Sequence, residues 1–243
     1  SCNAYFVNVF RRIMEDPKFG STQDSYNNWR DHLLKFGLGN ILNSDLSGEL
    51  KGFIPKDEYF NRYYGSGRWN FLTIRSMAIG QGELGVTPLQ MANFTATLAN
   101  KGYYIIPHVL KSVKGSDAID EKFRMKNFTG IDSAYFEVAI DGMDLAVNGG
   151  AGSTAGRAII QGIIVCGKTG TAENSHGEDH SIFIAFAPRE NPKIAIAVYI
   201  ENGGFGGTWA APLASLMIEK YLTKEVTRPL LEEYLYHAVI EKK

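Results

Sequence analysis

The sequence is poor in several features that mark particular classes of protein. Its two cysteines, Cys2 and Cys166, are too few for a disulfide framework, and both are expected to be buried small apolar side chains. Because no run of about 18 uncharged apolar residues occurs, no segment is expected to span a bilayer. A formal net charge of −1, without a long basic run, argues against nucleic-acid binding.

Apolar residues, in contrast, are plentiful. They make up 44% of the 243 residues, and 12% of the residues are aromatic, which is enough for a real hydrophobic core. The first residues, SCNAYFVNVFRR, have the composition of folded protein rather than of a signal peptide. Since there is also no initial methionine, we expect a fragment of a longer protein.

Hydrophobic periodicity and breaker residues predict helices first, then strands, then a closing helix. Helices are predicted over 3–16, from 22 to about 36, over 88–101, 133–147 and 209–222, and strands over 159–173, 180–190 and 193–201. Residues 39–67 are predicted to be irregular, and the tail 232–243 is either a short amphipathic helix or a frayed end. This order predicts an α+β fold with an antiparallel three-stranded meander, not alternating βα units.

The segment GQGELG places glycines at positions 80, 82 and 85, the spacing of a dinucleotide-binding loop. The next helix is predicted to begin only at Pro88, no acidic residue lies about 20 residues further on, and the surroundings are not a βαβ unit. A glycine-rich turn is therefore the preferred interpretation over a nucleotide site.

The segment HGEDH places His176 and His180 four residues apart, a spacing that binds zinc when it lies on a helix. Here it falls in a polar break between two predicted strands and contains a glycine. We therefore expect a solvated turn and no metal site.

The segment CGKTGTAE is a candidate ligand-binding or catalytic site. If it continues the strand that contains Cys166, Lys168 and Gly170 share one face, whereas Thr169 and Thr171 share the other. A strand at the edge of a sheet can present an ammonium, a hydroxyl and backbone N–H groups to a ligand, and Gly170 allows close approach. The alternative is an ordinary surface turn.

The first three residues, SCN, place the hydroxyl of Ser1 close to the amide of Asn3 near a predicted helix start. Such a pair can relay a proton and hold a peptide carbonyl. The alternative is an ordinary cap for the helix that follows. A Ser-x-Asn followed much later by Lys-Thr-Gly is far more specific than either motif alone.

Together, SCNAYF, IGQGELGVTPLQMA, KTGTAE, FIAFAP and ENGG resemble, in this order, the transpeptidase domain of class B penicillin-binding proteins of the elongation type. The resemblance covers nearly the whole chain. It implies a penicillin-binding or serine β-lactamase-like α+β fold and a single domain, of which 1–150 form the mainly helical part, 151–222 the sheet and closing helix, and 223–243 the tail. It implies neither a cofactor nor a metal.

The resemblance also implies roles for individual residues. Ser1 passes protons, Asn3 hydrogen-bonds the amide backbone of the substrate, and Lys168 supplies positive charge near Ser1 and the terminal carboxylate of the substrate. Thr169 and Thr171 bind that carboxylate, Gly170 leaves room for it, and the backbone N–H of Thr171 forms half of an oxyanion hole. Strand alternation places both threonines opposite Lys168, so a twist or bulge is required for all three to serve one site.

The family's third motif, Ser-x-x-Lys, is absent from the 243 residues, as is Thr-x-x-Lys. The resemblance places that motif upstream of Ser-x-Asn, so we expect the nucleophile, the membrane anchor and a non-catalytic domain to precede this chain. The chain alone is expected to form no acyl-enzyme. A β-lactamase or D,D-carboxypeptidase on the same fold, and a non-catalytic sensor or scaffold domain, remain alternatives.

The expected partners also follow from the resemblance. They are a stem peptide ending in D-Ala-D-Ala, β-lactam antibiotics and a glycan-polymerising membrane protein. The expected location is the bacterial inner membrane, with the catalytic domain in the periplasm.

Overall fold

The computed structural model describes residues 2–114 and 119–240. The α-helices among them are α1 Asn3–Met14, α2 Thr22–Lys35, α3 Asp57–Tyr64, α4 Phe71–Ile74, α5 Pro88–Ala99, α6 Ser133–Asn148, α7 Ala210–Thr223 and α8 Pro229–His237. The β-strands are β1 Tyr103–Tyr104, β2 Asn127–Phe128, β3 Cys166–Ala172, β4 His180–Ala187 and β5 Ile194–Ile200. The predicted α+β fold, its main helices and its three-stranded meander are confirmed, and the tail contains a helix, α8.

The described chain divides into two compact units. The first comprises Ser1–Thr87 and Ile105–Thr129, and it contains α1 to α4 and β2. The second comprises Pro88–Tyr104 and Gly130–Lys243, and it contains α5 to α8, β1 and the three long strands. None of the described helices is both long enough and apolar enough to cross a membrane.

The first unit is organised around a cluster of buried aromatic and aliphatic side chains. Tyr26 of α2 is fully buried, and its ring meets Phe60 of α3 edge to face at a centroid distance of 5.4 Å. Its hydroxyl donates a 2.7 Å hydrogen bond to the carbonyl oxygen of Pro55, which satisfies the one polar atom of the buried ring. The other members of the cluster are Phe10, Met14, Trp69, Phe71, Ile74 and Met77.

The prediction that residues 39–67 are irregular throughout is wrong for α3. The eight residues of α3 carry Asp57 and Glu58 in the first turn, where carboxylates favour the positive end of the helix dipole. Phe60 is then buried against Tyr26, so tertiary packing stabilises a helix that is too short to be stable alone.

The second unit is built on the antiparallel sheet β3-β4-β5. Alternation places one set of side chains on the face that α7 covers, including Phe183 and Ala185 of β4 and Val198 of β5. Three small residues of α7, Ala210, Ala211 and Ala214, are fully buried there, and they let the helix lie close to the strands. Helix α6 packs against β3, and α5 packs against β4 and β5.

Candidate active-site strand

The Lys-Thr-Gly sequence lies on β3, the first strand of the sheet. Its register with β4 is one to one over seven pairs, among them Lys168 with Ile184 and Gly170 with Ile182. In the part of the chain that the structure describes, β4 is the only strand that pairs with β3. The tripeptide is therefore on a strand edge, as the sequence predicted, and not in a surface turn.

Lys168 is half-buried on this strand. Its Nζ atom donates a 2.7 Å hydrogen bond to the carbonyl oxygen of Thr169. Burial lowers the pKa of Lys168 below its usual value, because an ammonium loses solvation when it leaves water. A half-buried lysine of this kind loses its proton more readily than an exposed lysine does. It is therefore suited to proton transfer as well as to anion binding.

The two threonines lie on the face of β3 opposite Lys168. Since the register contains no bulge over residues 166–172, the simple alternation holds. The hydroxyl of Thr169 lies 3.3 Å from the hydroxyl of Thr154, in the segment that follows α6. An extended ligand along the edge of a strand is nevertheless flanked by side chains from both faces, so no twist is needed for Lys168 and the threonines to reach it.

A glycine loop, residues 203–208, connects β5 to α7 and packs on the backbone of β3. Gly206 is buried, and a Cβ atom added to it would overlap the carbonyl oxygens of Gly170 and Ile182. A Cβ added to Gly207 would lie 2.7 Å from the carbonyl oxygen of Thr154. The backbone of this loop approaches its neighbours so closely at Gly206 and Gly207 that only glycine fits, which explains these two glycines of the sequence GGFGG.

The Ser-x-Asn motif is only partly described. Ser1 lies outside the described residues, and Asn3 is the first residue of α1 in the first unit. The N-cap position belongs to Cys2, whose own side chain makes no capping hydrogen bond. The assignment of Ser1 and Asn3 to the site stays a prediction, and so does its alternative, an ordinary cap for the helix.

The prediction of two buried cysteines is right for Cys166 and wrong for Cys2. Cys166 is fully buried, and its pKa is raised to about 12, chiefly by desolvation. Cys2 is exposed because it precedes α1, whose core-facing positions are Val7, Phe10 and Met14 at helical spacing.

The two other candidate motifs take the structures that the sequence favoured. Gly80 and Gly82 have φ values of 77° and 72°, and they follow a short 3₁₀ helix, Arg75–Ile79, instead of a strand. His176 lies in a turn, and His180 is the first residue of β4, so the two imidazoles do not share a helical face. His180 Nδ1 instead accepts a hydrogen bond from the backbone N–H of Asn202.

Comparison with known proteins gives the class of this chain. Residues 1–219 match the model of the penicillin binding protein transpeptidase domain. The chain therefore belongs to the family of penicillin-binding protein transpeptidase domains.

Individual relatives narrow the class further. The peptidoglycan D,D-transpeptidase MrdA of Acinetobacter baumannii is 33% identical over 251 residues, which cover 95% of this chain and 34% of that protein. The crystal structure of Pseudomonas aeruginosa PBP2, in complex with WCK 5153, is 31% identical with a TM-score of 0.74, and the match covers 90% of this chain and 45% of that one. The prediction of a penicillin-binding protein 2-type transpeptidase domain is confirmed. The chain spans about a third of the length of the curated relatives that it matches.

A second similar structure is that of penicillin-binding protein A from Mycobacterium tuberculosis, a ceftriaxone acyl-enzyme complex. It is 26% identical, has a TM-score of 0.69, and covers 91% of this chain and 46% of that one.

Sequence reasoning missed the residues that surround the Lys-Thr-Gly strand. Thr154, Ser181 and Gly206 all contact β3 or the glycine loop, and no short motif contains them. The local signals were the small-residue run GGAGSTAG and the run GGFGG, which are typical of loops but do not indicate which strand they contact.

Proposed function

We propose that this chain is part of a serine-type D,D-transpeptidase that cross-links peptidoglycan stem peptides. The observation that carries the proposal is Lys168, a half-buried lysine with a lowered pKa on a strand edge, within a Lys-Thr-Gly sequence. Membership of the transpeptidase family and the 33% identity to a D,D-transpeptidase support the same reaction.

The edge of β3 suits an extended peptide. A stem peptide that ends in D-Ala-D-Ala adds to the strand through main-chain hydrogen bonds, and Gly170 leaves room for its backbone. Lys168 attracts the terminal carboxylate, and the hydroxyls of Thr169 and Thr171 hydrogen-bond it. The backbone N–H of Thr171 donates to the carbonyl oxygen that becomes an oxyanion, a contact that typically contributes about 2.7–4 kcal/mol.

The covalent step in this proposal needs a serine that the 243 residues do not contain within a Ser-x-x-Lys motif. That serine attacks the carbonyl carbon between the two D-Ala residues, the C–N bond breaks, and D-Ala leaves with a proton. The amine of a second stem peptide then attacks the ester, which forms the cross-link and returns the serine. Ser1 relays the protons, and Asn3 hydrogen-bonds the backbone of the donor peptide.

β-Lactams acylate the same serine in this proposal, because their strained amide takes the place of the D-Ala-D-Ala bond. The proposal includes a location in the periplasm, with a membrane anchor outside these residues, and a glycan-polymerising membrane partner that supplies the polymer to be cross-linked. Support for both is the family membership and the similarity to MrdA.

A fused protein tests the proposed function. In it, the part of the A. baumannii relative upstream of its matching region precedes residue 1 and supplies the nucleophile. We expect covalent labelling by a fluorescent penicillin, and release of D-Ala with formation of cross-linked dimers from stem peptides. Lys168→Met is expected to lower the labelling rate by about 100-fold or more, whereas Lys193→Met, which changes an exposed lysine just before β5, leaves it unchanged.

Two results would contradict the proposal. One is covalent labelling of the 243-residue chain by itself, since that requires a nucleophile among these residues. The other is a folded fused protein that hydrolyses stem peptides or penicillin rapidly without forming any cross-link, which indicates a D,D-carboxypeptidase or a β-lactamase.

A further inference from the structure

Ser181 is a fully buried serine of β4 that lies directly opposite Thr171 in the strand register. Its hydroxyl donates a 3.0 Å hydrogen bond to the carbonyl oxygen of Phe205, in the middle of the glycine loop. The same hydroxyl accepts a 3.2 Å hydrogen bond from the backbone N–H of Ala210, the first residue of α7. One side chain of β4 is therefore bonded both to the centre of the loop and to the first residue of the helix that follows it.

A hydroxyl is unexpected at this position. Ser181 faces the same side of the sheet as the buried apolar residues Phe183 and Ala185. A hydroxyl that is buried without hydrogen bonds is costly, so its two backbone partners are the reason that serine is tolerated there. The N–H of Ala210 also gains a hydrogen-bond partner, since the first N–H groups of a helix have no partner within the helix.

The loop that Ser181 holds forms one side of the space along β3. Gly206 packs against the backbone of Gly170 so closely that no Cβ atom would fit. A Cβ atom on Gly207 would lie 3.9 Å from Cγ2 of Thr169. A displacement of the loop toward or away from β3 therefore changes the space beside both residues of the candidate site.

We propose that Ser181 is a positioning residue of the acyl-transfer site: it fixes the glycine loop against β3 and thereby sets the geometry of the strand edge that binds the donor peptide. The inference rests on the proposed function, because it requires that the peptide binds along β3. Without the hydroxyl, Phe205 and Ala210 lose this partner. The middle of the loop is then held mainly through its ends, where the Gly204 N–H donates to the carbonyl oxygen of Asp179 and the Thr208 carbonyl oxygen accepts from Arg157. A misplacement of about 1 Å can cost about 100-fold in rate, so a partial shift is expected to cost about tenfold.

Ser215 provides a matched control. It is also fully buried, its hydroxyl donates a 2.7 Å hydrogen bond to the carbonyl oxygen of Pro212, and it accepts a 3.1 Å hydrogen bond from Arg228 Nη1. Ser181→Ala and Ser215→Ala therefore remove the same buried group with the same number of hydrogen bonds. Of these two serines, only Ser181 is bonded to the glycine loop.

The test compares these variants in the fused protein, far below its melting temperature. Ser181→Ala is expected to lower the second-order rate constant of acylation by a labelled penicillin by about tenfold, whereas Ser215→Ala changes it less than twofold. Ser181→Cys, which keeps a weaker donor and acceptor, is expected to lose only about threefold. Hydrogen exchange at the amides of residues 203–208 should become about tenfold faster in Ser181→Ala and stay unchanged in Ser215→Ala.

The outcomes separate this inference from the proposed function. If the unsubstituted fused protein is folded but not acylated, the proposed function fails, and the exchange rates still show whether Ser181 holds the loop. If acylation occurs and Ser181→Ala reacts as fast as Ser215→Ala, Ser181 is merely structural and the inference is wrong. Should Ser181→Ala not fold, Ser181→Cys decides: a loss below twofold with unchanged exchange overturns the inference.

Discussion

The Nζ atom of Lys168 donates a hydrogen bond to the carbonyl oxygen of the next residue, Thr169, at 2.7 Å. The carbonyl is a neutral partner, so it satisfies a donor without cancelling the charge. Desolvation therefore dominates, and the pKa of Lys168 lies below the usual 10.5. The strand thus holds a desolvated cation, at an energetic cost that the carboxylate of the proposed substrate would relieve.

This cost predicts a pH dependence of stability. Between the lowered pKa of folded Lys168 and 10.5, the unfolded chain binds more protons than the folded one, so the free energy of unfolding rises with pH. Relative to the fused protein, Lys168→Met is expected to lack this rise. Urea unfolding between about pH 8 and pH 10.5 measures it, and Lys193→Met is the control. A difference between the fused protein and Lys168→Met that stays constant over this range would contradict the prediction.

Two glycines, one in the glycine loop and one in α6, predict opposite effects of the same substitution. Gly206→Ala places a methyl group into backbone oxygens and is expected to lower the free energy of unfolding by about 1–3 kcal/mol. Gly142→Ala, in the interior of α6 with open space around the added Cβ, is expected to raise it by up to about 1 kcal/mol. Denaturant unfolding of both variants measures the difference, and an equal effect of the two would disprove the close packing at Gly206.

The buried ion pair of the second unit predicts loss of stability in acid. Burial acts to raise the pKa of Glu219, but hydrogen bonds from Thr227 and Arg228 outweigh it, so the pKa stays below 4.5. The stabilisation is therefore present above about pH 4.5 and disappears as the pH falls through the lowered pKa. Glu219→Gln should remove this dependence, which unfolding measurements at acid pH would show.

Removing the other partner of this pair should be more harmful than removing the charge of Glu219. In Arg228→Met the Glu219 side chain, only 3% exposed, stays charged without its cation. We expect a loss of about 3 kcal/mol or more in the free energy of unfolding near neutral pH. Equal stability of Arg228→Met and Glu219→Gln would contradict the expectation that a buried carboxylate left without its cation is the more costly of the two changes.

The cysteines predict selective alkylation. Cys2 is exposed, whereas Cys166 is fully buried and its pKa is raised to about 12. Only thiolates react quickly with maleimides, so Cys2 should be modified in the folded protein and Cys166 only after denaturation. Peptide mass mapping separates the two sites, and fast modification of Cys166 under native conditions would be inconsistent with its burial.

The sheet was predictable from the sequence because its signals are local. Apolar, strand-like runs with short polar breaks between them identified β4 and β5, and Lys-Thr-Gly followed the apolar run that leads into β3. Helix α3 was missed because the Gly-, Asn- and Ser-rich sequence around it has no helical period, and its stability comes from burial of Phe60 against Tyr26.

The surroundings of the candidate site were not predictable in the same way. The motif pointed to Lys168, Thr169 and Gly170, but the hydroxyl contact between Thr169 and Thr154 joins residues 15 apart in sequence. Ser181 and Phe205 are 24 apart in sequence, and Gly206 and Gly170, whose backbones are in contact, are 36 apart. Such contacts depend on the sheet register, which a single sequence specifies only through the whole fold.

Among the residues that the structure describes, β3 is paired on one side only, and this has a consequence for the solution behaviour of the protein. A strand that leaves room for an incoming peptide offers the same row of N–H and C=O groups to the edge of another molecule, which is a route to aggregation. The ammonium of Lys168 in the middle of the strand opposes this, because two such edges would bring like charges together. Overproduction of a Lys168→Met variant should therefore be accompanied by more self-association.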